Sequence, residues 1–542
     1  MSERPRYDVA VVGGGLGGVA AALAASRLGA SVVLVERGEW LGGQLTSQGV
    51  PPDEHPWIEG PHVARSYAGL RTAIREHYRR AYPLTARARR DPHLNPGLGL
   101  VSALCHEPRV AALVVEELLG PFLAAGRLSI LRGHEVTDAA VDGDRCVGLT
   151  ATSRAGRRHE VTATTYVDAT ETGDLLPLLG VEHVVGAESR DQTGELHAPA
   201  TADPRDQQAL SWCFAVSYHP GEAHTIERPP AYDRWRAATD PRWPGPRLGW
   251  KDVDPVTLRP RHRPMFLHDP AGEDHPGAKD WWHYRRILAA SQLRAEPGVP
   301  AARDITLVNW PMTDYWDRPV LGVPPDERAR AEQEARELAR SFLYWLQTEA
   351  PRHDGDTGYP ELRPRGDVLG TDDGLAREAY VRESLRIRAV TTVTEGDIGC
   401  EMRGPAGARK FADSVGIGWY RIDLHPSTGG RSYVDIDCHP FQIPLGALLP
   451  VRVRNLVAGA KNIGTTHISN GAYRLHPVEW SVGEAAGALG AVCARTGTEP
   501  HRVREHGFED YQRVLAGTLG VPLAWPEEIS SPTIRGASCT ST

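Results

Sequence analysis

Apolar residues open the chain in two short runs joined by a stretch of small residues. Tyr7 to Val12 is β-rich and mostly apolar, the pattern of a strand buried on both faces of a parallel sheet. It runs into Gly13-Gly14-Gly15-Leu16-Gly17-Gly18 and an alanine-rich helix that Gly29 can stop. Ser31 to Val35 then makes a second apolar strand, closed by Glu36. The pattern predicts a βαβ unit. Residues 108 to 125 carry Val110, Leu113, Val114, Leu118 and Leu119 and predict an apolar helix. Strand-like pieces at 128–132, 135–141, 146–151 and 159–163, parted by Asp142-Gly143-Asp144 and Ala155-Gly156, predict a β-meander. A clear helix is expected at 325–349, and another over 375–388 from Leu375, Tyr380, Leu385 and Ile387. Val453 to Asn462 reads as a late strand, and 478–494 as an apolar helix entered through Pro477, a residue suited to a first turn.

The glycine run has a chemical reading. Gly13, Gly15 and Gly18, with Leu16 and Gly17 between the last two, satisfy G-x-G-x-x-G, in which the glycines allow a tight turn, close approach of a pyrophosphate and close helix packing. The following helix end presents free N–H groups to phosphate. Glu36, eighteen residues beyond Gly18, can accept hydrogen bonds from an adenosine ribose and would repel a 2′-phosphate. That favours FAD or NAD over NADP. A lone glycine run is as well read as a flexible loop; strand, turn, helix, strand and acidic end in register are not. After Arg37, the small residues around Gly42-Gly43-Gln44-Leu45 replace the helix expected next in a nicotinamide domain, and a meander is unusual there too.

Composition narrows the classes. The chain has 542 residues, 41% hydrophobic and 24% charged, so it is globular and large enough for two or three units. A net charge of -8 gives no surplus for a nucleic-acid backbone, and no segment is apolar enough to span a bilayer. Seven scattered cysteines, at 105, 146, 213, 400, 438, 493 and 539, form no C-x-x-C, which argues against a redox dithiol. Nor does any His or Asp/Glu cluster suggest a metal. A short polar start with no apolar leader gives a cytoplasmic expectation.

Taken together, the Gly13 loop, Gly42-Gly43-Gln44, Ala169 to Asp174, Arg382-Glu383-Ser384 and Asn455 to Gly490 resemble the FAD-dependent oxidoreductases of the glutathione reductase-like (GR2-type Rossmann) superfamily. They look most like a bacterial FAD-dependent oxidoreductase family, some members of which carry a xanthan lyase label. The resemblance covers about residues 5–190 and 375–497. It implies an α/β fold: an FAD-binding Rossmann-like parallel sheet with a β-meander, and an inserted α+β substrate domain. The expected division is 1–190 and 421–497 for FAD, 191–420 for substrate and 498–542 as a C-terminal extension. Glu36 would hold the adenosine ribose, backbone near Val136 would meet adenine, and Asp174, following Ala169 and Thr170, would bind the ribityl or pyrophosphate region. Gly42 to Leu45, with Asn462 and Ile463 after Gly459, would border the isoalloxazine or its tail. The helix start at Pro477 would face flavin N1 and O2. FAD is expected to be non-covalent.

Absence of a second glycine fingerprint and of C-x-x-C excludes a pyridine-nucleotide disulfide reductase. The leading expectation is oxidation of a small polar organic substrate by hydride transfer to flavin N5, with O2 or another acceptor taking the electrons. The alternatives are a single-component monooxygenase using NAD(P)H, and a lyase or isomerase with structural FAD. His467 and His476 are candidate bases, His467 preferred. Arg474 and Arg382 are candidate carboxylate clamps, with an internal ion pair the competing reading. His439 and Gln442 are more simply packing residues. Oligomeric state is left open, a homodimer included.

Overall fold

The computed structural model describes residues 6–295, 297–298 and 301–530. Cys539 and the end of the expected C-terminal extension, 531–542, lie outside them. Strand β1 (Arg6–Val12), helix α1 (Leu16–Arg27) and strand β2 (Val32–Glu36) form the expected βαβ unit, with Val11 opposite Leu34 in a parallel pair. Helix α2 (Pro108–Ala124) returns the chain to β3 (Leu128–Arg132), which pairs in parallel with β2. The 128–132 piece is therefore not part of the meander. A strand that follows a crossover helix re-enters the sheet in parallel, and alternation of side chains does not encode pairing direction.

The meander is β4 (His134–Asp142), β5 (Arg145–Ser153) and β6 (Arg158–Asp168), all antiparallel. β6 belongs to two systems. Residues 158–161 pair with β5, and residues 162–168 pair in parallel with β1, giving the order β3-β2-β1-β6-β5-β4.

The middle of the chain builds a four-stranded antiparallel sheet from β7 (Phe214–Tyr218), β8 (Arg286–Leu288), β9 (Ile305–Val308) and β10 (Leu362–Pro364), ordered β8-β9-β7-β10. Helix α3 (Pro325–Thr348) forms as expected. Its Phe342 and Trp345 stack on one another and meet Trp310 and Trp250 edge-on, so these tryptophans are core.

The 375–388 segment is not a helix. It is extended, with Ala376 donating to the Cys213 carbonyl at 2.7 Å and Tyr380 to that of Ser211 at 2.8 Å, and Arg386–Ile387 pairing with His183–Val184. Four apolar residues in that span suit either conformation, and backbone partners beside β7 decide it.

Two hairpin-like pairs follow. β11 (Ser414–Gly418) pairs with β14 (Phe441–Pro444), and β12 (Ile422–Leu424) with β13 (Val434–Ile436). β15 (Leu456–Ala458) then joins the end of β6 in parallel. Residues expected as a turn include a short helix, α4 (His467–Tyr473), capped by the Thr466 hydroxyl, before the long α5 (His476–Thr496).

α5 is buried from His476 to Cys493, and its small residues explain how. A Cβ on Gly483 would collide with the Gly17 carbonyl, and one on Gly487 with that of Ala21. α1 and α5 thus touch backbone to backbone. Glu484, buried on α5, accepts a hydrogen bond from Ser66 Oγ at 2.7 Å, and burial pushes its carboxyl up to about 7.

Gly483→Ala is expected to cost about 1–3 kcal/mol through overpacking, read as a lowered thermal midpoint; an unchanged midpoint would contradict the contact. Glu484 supplies a pH test. A carboxyl raised in the folded state makes that state the better proton binder, so its contribution is present below about pH 4.5 and is lost as pH rises through about 7. Glu484→Gln should therefore gain stability over its parent across that window in denaturant titrations.

Candidate active site

β1 ends at Val12, and the chain turns through Gly13 at φ +95°, whose N–H donates to the Val35 carbonyl at 2.8 Å. A side chain on Gly13 would strike the Ala169 carbonyl, and one on Gly18 the Gly13 carbonyl. Gly15 is the N-cap of α1, so the first-turn amides have no intrahelical acceptors. Beside this turn lies a cleft whose lining includes Gly13 to Gly15, Glu36, Arg37, Trp40, Val136, Ala169, Thr170 and Asp174. Residues expected to hold a dinucleotide, drawn from β1, β2, β4 and the end of β6, therefore converge.

Glu36 differs in detail from its expected role. Its carboxylate accepts from the Gly14 amide at 2.5 Å and the Gly38 amide at 2.6 Å, while burial pushes its pKa up to about 7. It shapes the turn as well as facing the cleft. Arg37 pairs with Glu378 at 3.5 Å. Asp174 is held by its own segment: its amide donates to Thr170 Oγ1 at 2.7 Å and its carboxylate accepts from Thr172 at 2.6 Å.

Over the glycine turn lies a charged group that sequence reasoning passed over. Glu171 Oε1 sits 2.7 Å from where a Gly15 Cβ would be and 2.6 Å from that of Gly43, without a hydrogen-bond partner, while Oε2 pairs with Lys461. Burial opposes its charge, but Lys461 holds its carboxyl below the ordinary range. The carboxylate is held there by Lys461, not by the amides of the turn. One signal was available: Lys461 is one of only four lysines in the chain.

At the far end, Gly42 and Gly43 take positive φ and lead into a single 3-10 turn over Gly43–Leu45. Gln44 Nε2 donates to the Arg474 carbonyl at 3.0 Å and also meets Glu479, whose other oxygen accepts from the Gly17 amide at 3.4 Å across 462 positions of sequence. Burial lifts Glu479 to about 7. Asn462 bridges strands, donating to the Asp168 carbonyl at 2.9 Å, where Gly459 also donates at 2.7 Å. Leu45, Ile463 and Pro477 are buried around this junction.

The catalytic candidates separate. His467 Nδ1 lies 2.9 Å from Glu383 and Nε2 contacts Arg431, so both ring nitrogens are engaged within the protein. Despite burial, His467 and Arg386 hold Glu383 down at about 2. Arg382 donates to Ala209 and Ser211 and pairs with Asp314 at 3.0 Å. It makes an internal ion pair, with Asp314 rather than a neighbouring glutamate. Arg474 donates to Tyr380 at 2.9 Å and pairs with Asp423 at 3.2 Å. His476 is the first residue of α5, not its cap. Its Nδ1 accepts from the Asp53 amide at 3.1 Å, its Nε2 has no partner, and burial holds its pKa well below the ordinary value. Gln442 packs, accepting from Phe411 and donating to Leu523.

Arg382 and Arg474 meet at a second cavity of about 210 Å³, which also takes in Asp53, Arg285, Asn309 and Tyr433. Gln44, which follows Gly43 of the glycine-lined cleft, ties it to that cleft through the Arg474 carbonyl, and His476 accepts from the amide of its Asp53. Arg285 and Asn309 come from the middle of the chain and carried no motif. His219, Glu222 and His224 bring one ligand atom each within 4.8 Å of one another, a grouping not expected from the sequence and outside both cavities.

A parallel sheet whose glycine turn caps a helix beside an acidic strand end defines a dinucleotide-binding protein. The chain belongs to the FAD dependent oxidoreductase family, whose model matches residues 8–515. It is an FAD-dependent oxidoreductase, and the glycine cradle, where a Cβ on Gly13 or Gly18 would strike backbone, fits that cofactor. Over 48 residues it is 48% identical to the soluble pyridine nucleotide transhydrogenase of Mycobacterium bovis (strain BCG / Pasteur 1173P2), 9% of this chain and 10% of that one. The chain thus matches about a tenth of the length of the curated relatives. Among solved structures it is similar to the L-proline dehydrogenase from P. horikoshii, at 18% identity over 34% of this chain and 24% of that one, TM-score 0.18. It is also similar to the OxyS anhydrotetracycline hydroxylase from Streptomyces rimosus, at 13% identity over 95% and 67%, TM-score 0.28. No helix among the described residues is long and apolar enough to cross a membrane.

Replacing Gly15 with Val should push Glu171 and the cradle apart and abolish retention of FAD. Stoichiometric flavin in the purified variant, read from its absorbance, would refute the site.

Proposed function

We propose that the chain oxidises a small polar organic substrate in the arginine-lined cavity, as a cytoplasmic enzyme similar to the glutathione reductase-like flavoproteins. The observation that carries this reading is continuity: Gln44, next to Gly43 of the glycine-lined cleft, bonds directly to the backbone carbonyl of Arg474 in the cavity wall. FAD, bound non-covalently, supplies the hydride acceptor, and O2 or another acceptor takes the electrons onward. The inserted 191–420 unit contributes Arg285 and Asn309, and the FAD unit of 1–190 and 421–497 contributes Asp53 and Arg474.

The chain's own groups divide the remaining work. The substrate carbon gives up a hydride, and the hydroxyl or amine proton beside it passes to the Asp53 carboxylate. Burial raises the Asp53 pKa, with Arg285 opposing, which suits a proton acceptor better than an ordinary carboxylate would be. His476, neutral and accepting at Nδ1, carries its hydrogen on Nε2 and serves as a donor. Arg474 orients substrate. His467 and Arg382, committed to Glu383 and Asp314, position the wall rather than touch the reacting atoms.

Anaerobic mixing of FAD-loaded protein with amines, amino acids, alcohols and organic acids should bleach the flavin with one of these classes. Asp53→Asn should then slow the bleaching about 100-fold with FAD content unchanged. Bleaching by NADPH alone, with no effect of any organic substrate, would overturn the reading.

A further inference from the structure

The cavity that holds Asp53 and Arg474 carries an unbalanced charge. Six arginines and three aspartates line it. Four of the arginines are neutralised: Arg261 by Asp252 at 2.5 Å, Arg382 by Asp314, Arg474 by Asp423, and Arg421 by Asp435 and Asp437. Arg263 is not, and Arg285 has only a long ion pair, with Asp53 at 3.9 Å.

Arg263 has no ion pair among the described residues and rests on aromatic faces, 4.4 Å from the Trp281 ring centroid and 5.5 Å from that of Tyr284. Arg285 lies 5.1 Å from the same Tyr284 ring. Its closest carboxylate is Asp53 at 3.9 Å, beyond hydrogen-bond length, and its Nη1 has no partner. Two guanidinium groups beside one tyrosine ring thus face a cavity in which Asp53 is the one carboxylate near them, and it is not within hydrogen-bond length of Arg285. Stacking leaves their planar N–H edges open to a carboxylate.

A second observation is independent of charge. Asn309 lines the same cavity, is only 5% exposed, and neither its Nδ2 nor its Oδ1 has a partner. The Tyr433 hydroxyl, equally buried in the wall, is also unpartnered. Buried polar groups in folded proteins are almost always satisfied, so an unmet donor and acceptor on one side chain point to a ligand that both gives and takes a hydrogen bond. A hydroxyl does this. An ammonium group only donates and would leave Nδ2 unmet; Asp423 and Asp435 are already paired, so Asp53, 3.9 Å from Arg285, is the one carboxylate of the lining left to face it.

We propose that the cavity binds a small hydroxy acid, its carboxylate on Arg285 and Arg263 and its hydroxyl between Asn309, which holds it in the resting complex, and Asp53, which takes its proton on oxidation. The proposal rests on the oxidation reading for its meaning as a substrate site, but the binding site is testable without turnover.

The test titrates FAD-loaded protein under anaerobic conditions with malate, succinate, aspartate and glycerol, following binding by calorimetry and reduction by flavin absorbance. Malate is expected to bind about tenfold or more tighter than succinate or aspartate, and glycerol not at all. Arg285→Gln should weaken malate and succinate alike by about tenfold or more, and Asn309→Ala should weaken malate while leaving succinate unchanged. Equal FAD content shows that a variant is folded, and the less buried Arg263→Gln repeats the charge test if Arg285→Gln loses flavin. Failure of malate and succinate to bind, glycerol binding as tightly, or affinities untouched by both arginine variants would overturn the proposal. Acids that bind as described without bleaching leave this site standing and sink the oxidation reading. Bleaching by an uncharged substrate while the acids do not bind does the reverse.

Discussion

The close crossing of α1 and α5 is the contact on which the site depends. Gly17 and Ala21 present backbone carbonyls where Gly483 and Gly487 have no side chain, so the helices approach to a distance that alanine would prevent. That approach sets the first turn of α1 against the first turn of α5, and Glu479 meets the Gly17 amide because of it. Everything that distinguishes the far end of the cleft from its near end follows from this crossing. Gln44 reaches Glu479 and the Arg474 carbonyl only because α5 begins where it does.

Much of this was legible in the residues. The strand, glycine turn, helix and acidic end at 7–36, the helices at 108–125, 325–349 and 478–494, and the strand ending at Gly459 all appear near their expected places. Local pattern carries such elements because burial on two faces or one stripe leaves a periodic trace. Pairing leaves none. The 128–132 strand therefore looked like meander until its parallel register with β2 was seen, and 375–388 looked helical although its backbone bonds go to 211–215 and its end to 183–184.

The site divides in the same way. Backbone-built binding surface announces itself through glycine spacing, and the cleft contains Gly13 to Gly15, Glu36, Val136, Ala169 and Asp174 as expected. Side-chain chemistry assembled from distant segments does not. Asp53, Arg285, Asn309, Tyr433 and Arg474 share no spacing, and in a chain where arginine supplies nearly all basic residues no single arginine stands out. His467, the preferred base, is carried by α4, which turns its ring toward Glu383. The next histidine, His476, is fixed instead by the backbone amide of Asp53.

The double membership of β6 has a consequence for how the molecule is made. Its first half can pair with β5 as soon as the meander emerges, since those partners are adjacent in the chain. Its last residues must wait for Leu456–Ala458, and the cradle at Gly13 to Gly18 must wait for α5. On a ribosome, a nascent chain would carry a formed meander and an open glycine turn through the synthesis of more than half of the protein. Contacts of such long range form slowly and late. The sheet is therefore completed late, and its half-built form, with an apolar strand edge awaiting its partner, is the stage most open to misassembly.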